Sequence, residues 1–436
     1  MIAQVIFLLL LVAASYLAWK RFQFVKRNIN LGRDVTIEGD KSVRLNTMIR
    51  VALGQGKMFT RPIPALLHLI LYAGFIIINI EVLEILVDGL FGTHRFLSFL
   101  GPFYNFLIGS FEILALLVLI ACVAFLVRRN VMKLKRFHMR EMTKWPKSDA
   151  NIILIIEICL MSAFLKMNAA DALLQKLPNA HYHAAGSFPV SQFIQPFMSS
   201  YSENGLIFVE RFTWWFHIIG ILGFIVYLSY SKHLHIILAF PNTYYSKLKP
   251  AGTFNNLESV TREVKLMLDP NADPYAAAPA DGAPQRFGAK DIFDLNWVQL
   301  MNAYSCTECG RCTSNCPANQ TGKLLSPRKI MMDTRDRMEE VGKNIDLNGE
   351  WKDDGKALLR DYISEEELWA CTSCNACTES CPVNINPLEI IVDLRRYLIM
   401  EESKSPESIT VMFNNIENNG APWAFSATER ATWRNS

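Results

Sequence analysis

Long apolar runs fill the chain up to about residue 240, whereas the remainder mixes apolar and polar positions at short range. Five runs have, or nearly have, the roughly 20 apolar residues that a helix needs to cross a bilayer. They predict membrane helices at residues 2–19, 64–90, 104–127, 151–166 with a continuation to 177, and 208–230. The continuation of the fourth helix carries Asp171 and Lys176, so we expect this helix to end early or to lean against its neighbours.

Lysine and arginine are unevenly distributed among the loops between these helices. The loop after the first helix holds ten basic residues and the loop after the third holds eight, whereas the other two carry little beyond Arg95, Lys176 and Arg211. Because basic loops stay on the cytoplasmic side, we expect the N-terminus outside and everything after residue 230 inside, in the cytoplasmic (inner) membrane. Topology explains the basic loops, and the sequence, with a net charge of +3, predicts no nucleic-acid partner.

The first apolar run has to be distinguished from a cleaved signal peptide. Signal peptides carry positive charge before their apolar segment. This chain opens with Met-Ile-Ala-Gln, and its basic cluster follows the apolar run. We therefore expect residues 2–19 to remain as a membrane anchor.

Eight of the ten cysteines form two copies of one pattern, C-x2-C-x2-C-x3-C-P. The C-x2-C-x2-C loop wraps three thiolates around one [4Fe-4S] cubane, while the cysteine before proline ligates the other cluster. The first cluster is therefore expected on Cys306, Cys309, Cys312 and Cys381. The second cluster is expected on Cys371, Cys374, Cys377 and Cys316.

Other interpretations of the cysteines are weaker. Structural zinc uses paired C-x2-C ligands without a fixed third and fourth cysteine before proline, and disulfides are disfavoured on the reducing cytoplasmic side. Cys122 and Cys159 stand alone within predicted membrane helices, where we expect small buried thiols.

The sequence around the cysteine motifs predicts helices rather than the short hairpins of a compact bacterial ferredoxin. Fifty-four residues separate Cys316 from Cys371, and they include Ser326-Pro327, a helix N-cap followed by proline. Residues 361–369 are expected to lead helically into the second motif, and residues 387–400 show apolar positions at helical spacing. The predicted fold class is all-α, a five-helix transmembrane bundle followed by a helical dicluster ferredoxin domain.

The domains expected from this pattern are four. Residues 1–248 form a transmembrane domain, and residues 249–286, rich in proline and alanine, form a linker. Residues 287–400 form the dicluster domain, and residues 401–436 form a C-terminal tail that we expect to dock a partner.

The soluble half resembles a known family. The sequence Phe287-Gly288-Ala289-Lys290-Asp291 through Trp297, the run Tyr304 to Cys312, and Gly322 to Pro327 are similar to the helical dicluster ferredoxin domain of heterodisulfide reductases. The tail Glu417 to Trp423, followed by Arg430 and Trp433, resembles the segment that leads into cysteine-rich CCG domains in those proteins. Since CCG domains are associated there with substrate chemistry, the resemblance implies a separate CCG-domain cytoplasmic subunit as partner. No catalytic residue is expected in this chain itself.

Three histidines lie at or near predicted membrane helices, where histidine is costly and usually faces a cavity or cofactor. His68 lies near the inner end of the second helix, His217 near the outer end of the fifth, and His235 at or just past its inner end. In one continuous helix, the 18 residues from His217 to His235 would put both rings on one face, roughly 27 Å apart along the axis.

This arrangement, with the sequence Arg211 to His217 and Tyr230 to His235, resembles the cytochrome b of respiratory nitrate reductase (its gamma subunit) and of heterodisulfide reductase. In those proteins histidines on the second and fifth helices hold two haems. The resemblance implies that His68 and His235 hold one haem b, with His233 as an alternative to His235.

An outer haem on His217 lacks an evident partner, because residues 78–86 contain no histidine. It would need His94, His181, His183 or a methionine, or it does not exist; a hydrogen-bonded core residue or a quinone pocket is the other interpretation of His217. Glu81 and Glu84 either end the second helix among lipid headgroups or exchange protons with a quinone.

Together these features predict a membrane electron-transfer subunit that links the quinone pool to a cytoplasmic redox partner through haem b and two [4Fe-4S] clusters. The direction of electron flow stays open. The alternative is a membrane sensor or scaffold whose clusters report redox or iron status without quinone turnover.

Overall fold

The computed structural model describes residues 1–178, 181–250, 252–271, 286–429 and 431–435. The described residues form helices, turns and two isolated bridges but no β-strand. The predicted all-α fold class is confirmed. The chain divides into two compact units, which are described one at a time.

The first unit contains residues 1–27, 45–244 and 304–310. Its helices in chain order are α1 (Ile2–Ile29), α2 (Lys41–Met48), α3 (Pro62–Phe91), α4 (Pro102–Leu126), α5 (Trp145–Leu174), α6 (Glu203–Leu228) and α7 (His235–Tyr244). Five of them are long and apolar enough to cross a membrane, and these are α1, α3, α4 with its extension to Val131, α5 and α6. They match the five predicted runs, with bounds that extend further at several ends.

The core of this bundle lies between α3, α4, α5 and α6, where Ile108, Phe164 and Ile218 are fully buried. α1 contacts it mainly through Phe7, whose ring lies 5.7 Å from that of Trp214. Phe7 also covers Gly89, where a Cβ would come within 2.6 Å of the ring. Most of the remaining apolar surface of α1 is exposed, as expected of a helix that faces lipid.

The fourth membrane helix differs from its prediction. It runs unbroken over Trp145–Leu174 rather than ending near residue 166, and it begins six residues before the predicted start. Asp171, which argued for an early end, is accommodated because Arg95 and His94 both bond to its carboxylate, at 2.6 and 3.0 Å.

The fifth membrane helix also differs from its prediction. α6 ends at Leu228, a turn and a short 3-10 segment follow, and His235 begins the separate helix α7. The expectation that His217 and His235 share one face of a continuous helix is therefore wrong. Asp149 stabilises the break, because its carboxylate accepts from the backbone N–H of Lys232 at 3.1 Å.

The second unit contains residues 28–44, 245–303 and 311–436. Its helices are α8 (Glu258–Leu268), α9 (Trp297–Tyr304), α10 (Arg311–Ser314), α11 (Pro317–Gln320), α12 (Pro327–Asn348), α13 (Leu358–Asp361), α14 (Glu365–Trp369), α15 (Ala376–Glu379), α16 (Pro387–Met400) and α17 (Glu407–Asn419). The loop that follows the first membrane helix packs in this unit. The backbone N–H of Arg33 donates to the carbonyl of Leu295, and Gly32 lies so close to this strand-like contact that a Cβ would meet the Trp297 nitrogen at 2.7 Å.

Two predicted helix starts in the dicluster region are confirmed. Ser326 caps α12 by accepting from the backbone N–H of Lys329, and α16 covers Pro387–Met400 as predicted. The expected helix over residues 361–369 is wrong in its first part. The chain breaks after Asp361, and α14 starts anew with a capping box in which Ser364 and Glu367 bond each other's backbone.

Some predicted features fall wholly or partly outside the described residues. The linker expected at residues 249–286 lies there for the most part, because residues 251 and 272–285 are not described, and so does Arg430 of the tail. Of the two isolated cysteines, Cys122 is buried as expected, whereas Cys159 is exposed on the surface of the bundle. The prediction for Cys159 was wrong because a helix facing lipid leaves apolar positions uncovered by protein.

Candidate electron-transfer site

The two cysteine motifs repeat in backbone conformation as well as in sequence. The second residue after the first cysteine has a left-handed φ in both copies, 54° at Glu308 and 57° at Ser373. The residue after the second cysteine is left-handed too, at 69° for Gly310 and 60° for Asn375. Such alternation turns successive cysteine side chains to the same side of the loop, as a loop around a cluster requires.

Each motif is also attached to the helix that follows it in the same way. The threonine after the third cysteine bonds the N-cap of that helix, with 2.8 Å from Thr313 to Ser326 and 3.0 Å from Thr378 to Asn386. Both helices then begin with proline. The repeat therefore includes the element that supports each loop.

The second motif gathers with the last cysteine of the first motif. Cys316 interacts electrostatically with Cys371, Cys374 and Cys377, and all four lie in the second unit. Burial, reinforced by these neighbours, raises the pKa of Cys316 and Cys371 and raises that of Cys377 to about 12. Closely spaced thiols in a dry pocket carry too much charge to ionise together, and a cationic cluster relieves that cost.

The other four cysteines are divided between the two units. Cys306 and Cys309 lie in the same compact unit as the membrane helices, whereas Cys312 and Cys381 belong to the second unit. In that second unit the thiol of Cys381 accepts from the backbone N–H of Ile385 at 3.3 Å. The ligand set of the first cluster stays a prediction.

Within the part of the chain that the structure describes, no three histidine, cysteine, aspartate or glutamate side chains converge as ligands of a single metal ion would. Four thiolates on one zinc ion lie within about 4 Å of each other. A cubane holds its thiolates further apart, at four separate iron corners.

The structure brings His68 and His235 together. Their ring centroids are 6.5 Å apart, although 167 residues separate them along the chain. Each imidazole is fixed through Nδ1, which donates to the Gln55 side-chain oxygen at 3.1 Å for His68 and to the Lys232 carbonyl at 2.9 Å for His235. Metal-binding histidines are held in this way, so that Nε2 is the nitrogen that would bind.

The two other candidate histidines have different surroundings. His233 lies 5.8 Å from His235 and 5.6 Å from Phe224, and the ring contact of His68 is with His235 instead. His217 is buried, and its Nδ1 donates to the Leu160 carbonyl at 3.0 Å. Among the described residues its ring neighbour is Phe164, at 5.9 Å, so no second histidine is brought to it.

A buried ion pair ties the first cysteine loop to the region of His235. Lys232 Nζ lies 2.6 Å from the Glu308 carboxylate, with both side chains under a tenth exposed, and all these residues belong to the first unit. The same Lys232 supplies the carbonyl that accepts from His235. One residue thus contacts both a candidate haem ligand and the loop between Cys306 and Cys309.

Two residues of these networks, Lys232 and Arg95, are not evident from the sequence. By sequence, Lys232 is one of several basic residues at a cytoplasmic helix end, and Arg95 is an isolated charge in an outer loop. Both are buried ion-pair partners. The only signal is a pairing of charges across 76 residues in each case, which a single sequence does not reveal.

Comparison with known proteins agrees with the cysteine pattern. Residues 302–385 match the family of 4Fe-4S dicluster domains. The chain is related to the heterodisulfide reductases. It is 32% identical over 120 residues to a protein of the ferredoxin/F(420)H(2)-dependent CoB-CoM heterodisulfide reductase of Methanosarcina acetivorans, covering 27% of this chain and 60% of that protein.

Two further relatives match most of the chain. It is 29% identical over 460 residues to the probable iron-sulfur-binding oxidoreductase FadF of Bacillus subtilis, covering 98% of this chain and 60% of FadF. It is 27% identical over 405 residues to the EtfAB:quinone oxidoreductase of Syntrophomonas wolfei, covering 88% of this chain and 52% of that protein. The chain thus spans about half to three fifths of the length of these relatives.

No solved structure matches the chain significantly. The predicted kinship with heterodisulfide reductase-like iron-sulfur oxidoreductases is confirmed. These relatives do not show the expected similarity to the nitrate reductase gamma subunit, which stays a prediction.

Proposed function

We propose that this iron-sulfur oxidoreductase homologue moves electrons between the quinone pool and a cytoplasmic redox partner, through one haem b and two [4Fe-4S] clusters. The observation that carries the proposal is the His68–His235 pair. In a bis-histidine haem each ring centroid lies about 3 Å from the iron, so the two centroids are about 6 Å apart. The observed separation of 6.5 Å fits that requirement.

The chemistry of the two imidazoles also fits haem iron. Burial lowers the pKa of His235, against the opposing effect of its hydrogen bond to the Lys232 carbonyl. A lowered pKa keeps the ring neutral, which is the form that binds a metal. The haem would supply one-electron transfer within the membrane. The role of this chain is to fix both rings through Gln55 and Lys232.

The position of the first cysteine loop supports electron exchange between the two kinds of cofactor. Cys306 and Cys309 belong to the compact unit that contains His68 and His235, and Lys232 contacts both regions. The clusters would then carry electrons across the soluble domain.

The location and partner are proposed on other grounds. The basic loop after the first helix packs in the same unit as the dicluster helices, which supports placing both on the cytoplasmic side. Quinone is proposed because one relative is named an EtfAB:quinone oxidoreductase. A CCG-type module outside residues 1–436, expected on a separate subunit, is the proposed cytoplasmic partner, since heterodisulfide reductases are named by their subunits.

The experiment is a haem assay on the purified full chain and its variants. We expect the paired visible bands of low-spin haem b after reduction, and their loss in His68→Ala and in His235→Ala. His138→Ala, which changes an exposed histidine, should keep both bands. A wild-type protein with eight irons and no haem would leave the sensor or scaffold function ahead.

A further inference from the structure

A buried polar network lies where α3, α4 and α5 meet the loop between α3 and α4. It contains four carboxyl groups and one guanidinium. The exposed fractions of Glu81, Glu84, Glu112, Asp171 and Arg95 are 4, 4, 0, 2 and 6%. The suggestion that Glu81 and Glu84 lie among lipid headgroups is therefore wrong, because protein covers both side chains.

Arg95 is the centre of this network. Its guanidinium donates to Asp171 at 2.6 Å, to the Asn168 oxygen at 2.9 Å and to the Tyr104 hydroxyl at 3.2 Å. Tyr104 in turn donates to Glu84 at 2.9 Å. An arginine keeps its proton in proteins, so Arg95 acts as a fixed positive charge.

The four carboxyl groups differ in how well they are satisfied. Glu112 accepts from Asn168 and from two backbone N–H groups, those of Val190 and Ser191, at 2.8 to 3.1 Å. Glu84 accepts from the Leu97 backbone N–H and from Tyr104. These donors favour the ionised form of both groups.

Glu81 is the exception. Among the described residues its Oε2 atom is buried and has no hydrogen-bond partner. It interacts electrostatically with Arg95, Glu84, Glu112 and Asp171, so three of its four charged neighbours are acidic. A network of four buried carboxyls around one permanent cation holds at least one proton, and Glu81 is the carboxyl with the least to stabilise an anion.

His94 leads from this network to the surface. Its Nε2 lies 3.0 Å from Asp171, and its Nδ1 is a second buried atom without a partner in the described part of the chain. The rings of His181 and His183 lie 5.4 and 5.3 Å from His94, and both of these residues are exposed. The charged groups that face the network from its other sides are Asp88 on α3 and the Glu210–Arg211 pair on α6.

We propose that this network is a proton-exchange site, in which Glu81 is the buried proton carrier and His94 is its outlet to His181 and His183. Arg95 holds the Asp171 carboxylate against His94, which sets the direction of the outlet. The two unpartnered buried atoms, on Glu81 and His94, are at the two ends of this route.

The reaction served is the quinone reaction of the proposed function, on which this assignment of use depends. Oxidation of one quinol gives one quinone, two electrons and two protons. The electrons go to the redox centres proposed above, and the protons pass to Glu81 and leave by His94. Quinone reduction runs the same balance in reverse.

The site can be tested without quinone or haem, by infrared spectroscopy of the purified full chain. We expect a C=O stretch from a protonated buried carboxyl that is missing in Glu81→Gln and shifted in Glu81→Asp. After transfer to deuterated water, exchange of this band should be at least about tenfold slower in His94→Phe, which keeps the ring contacts but removes the nitrogens.

Glu157→Gln is the matched control, because Glu157 is a carboxyl within α5 that is not among the four charged neighbours of Glu81. It should leave the exchange rate of the Glu81 band unchanged. The proposal is overturned if Glu81→Gln removes no band, or if His94→Phe exchanges as fast as the wild type. Either result leaves the haem and cluster assignments intact.

A second measurement assigns the use of the site. If quinol reduces the wild type, Glu81→Gln should slow that reduction by about 100-fold or more, while reduction by dithionite is unchanged. Equal quinol rates in both proteins would overturn the role in quinol chemistry. A wild type that quinol does not reduce, with the infrared result intact, would contradict the proposed quinone function instead.

Discussion

Lys329 illustrates how single residues of the dicluster region share charge. Its ammonium lies 2.6 Å from Asp333 and 3.0 Å from Glu367. Glu367 also accepts from the Ser364 backbone N–H at 3.0 Å, so it is the better satisfied of the two carboxylates. Burial raises the pKa of Asp333 to about 7, against the opposing charge of Lys329.

This pKa predicts a stability that depends on pH. The ordinary value for Asp333 is 3.8, so between about pH 4 and 7 the folded chain binds a proton that the unfolded chain has released. The contribution of Asp333 to the free energy of unfolding is therefore full at low pH and is lost as the pH rises through 7. In thermal melts of the full chain from about pH 5.5 to 8, the wild type should lose stability relative to Asp333→Asn.

Asp336→Asn is the control for this prediction, because Asp336 lies on the same helix with a side chain that is 57% exposed. The pH dependence of its melting temperature should run parallel to that of the wild type. A wild type whose stability rises with pH relative to Asp333→Asn would contradict the assignment.

Individual ligands were predictable from the sequence when spacing carried the information. The eight cysteines follow from their pattern alone, and His68 and His235 followed from depth in the membrane together with a family resemblance. Lys232 and Arg95 could not be predicted in this way. Their partners, Glu308 and Asp171, are brought to them by tertiary packing across long stretches of chain.

At the scale of elements, the repeated loop and its supporting helix predict crossed ligation of the clusters. Cys316 lies with Cys371, Cys374 and Cys377 in the second unit. Cys316→Ser should therefore remove or alter the second cluster, and Cys381→Ser the first. Electron paramagnetic resonance of the reduced full chain would distinguish them, with Cys374→Ser and Cys309→Ser as reference variants that assign each signal.

The opposite pattern would refute the crossing. If Cys381→Ser abolished the signal that Cys374→Ser abolishes, and left the other signal intact, each motif would be self-contained.

The two loops differ at one position, which allows a specific test of the Lys232 contact. Glu308 stands where the second motif has Ser373, and only the first loop contacts a membrane-unit lysine among the described residues. Glu308→Ser leaves the Lys232 ammonium buried without its nearest carboxylate, at a cost of about 3–5 kcal/mol. We expect faster hydrogen exchange in residues 304–310, measured by mass spectrometry.

A double variant separates charge from shape. Glu308→Ser combined with Lys232→Met removes both charges, so exchange in residues 304–310 should return toward the wild-type rate. Equal exchange in the wild type and Glu308→Ser would mean that the ion pair does not hold this loop.

The periodicity of apolar residues predicted all five membrane helices, but not how they end. α5 continues past its expected end because Arg95 and His94 neutralise Asp171, and these partners lie 76 and 77 residues away. α6 stops before its apolar run stops, because Asp149 binds the backbone of Lys232. Both outcomes depend on buried polar contacts between elements, which apolar periodicity does not register.

At the scale of the whole molecule, the apolar first half and the cysteine-rich second half predicted a membrane bundle and a dicluster domain. The division into compact units cuts across that order. Residues 28–44 belong with the dicluster helices, and residues 304–310 belong with the membrane helices. A linear reading of composition assigns contiguous domains and does not detect such exchanges.

The central claim is that electrons pass between quinone and the clusters by way of the His68–His235 site. The most direct measurement starts with dithionite-reduced full chain, freed of reductant under anaerobic conditions, and adds a soluble quinone analogue. We expect the haem b bands and both cluster signals to be oxidised, and the cluster signals to be oxidised at least about tenfold more slowly in His68→Ala and His235→Ala. Clusters that quinone oxidises equally fast in the wild type and in both variants would contradict the claim.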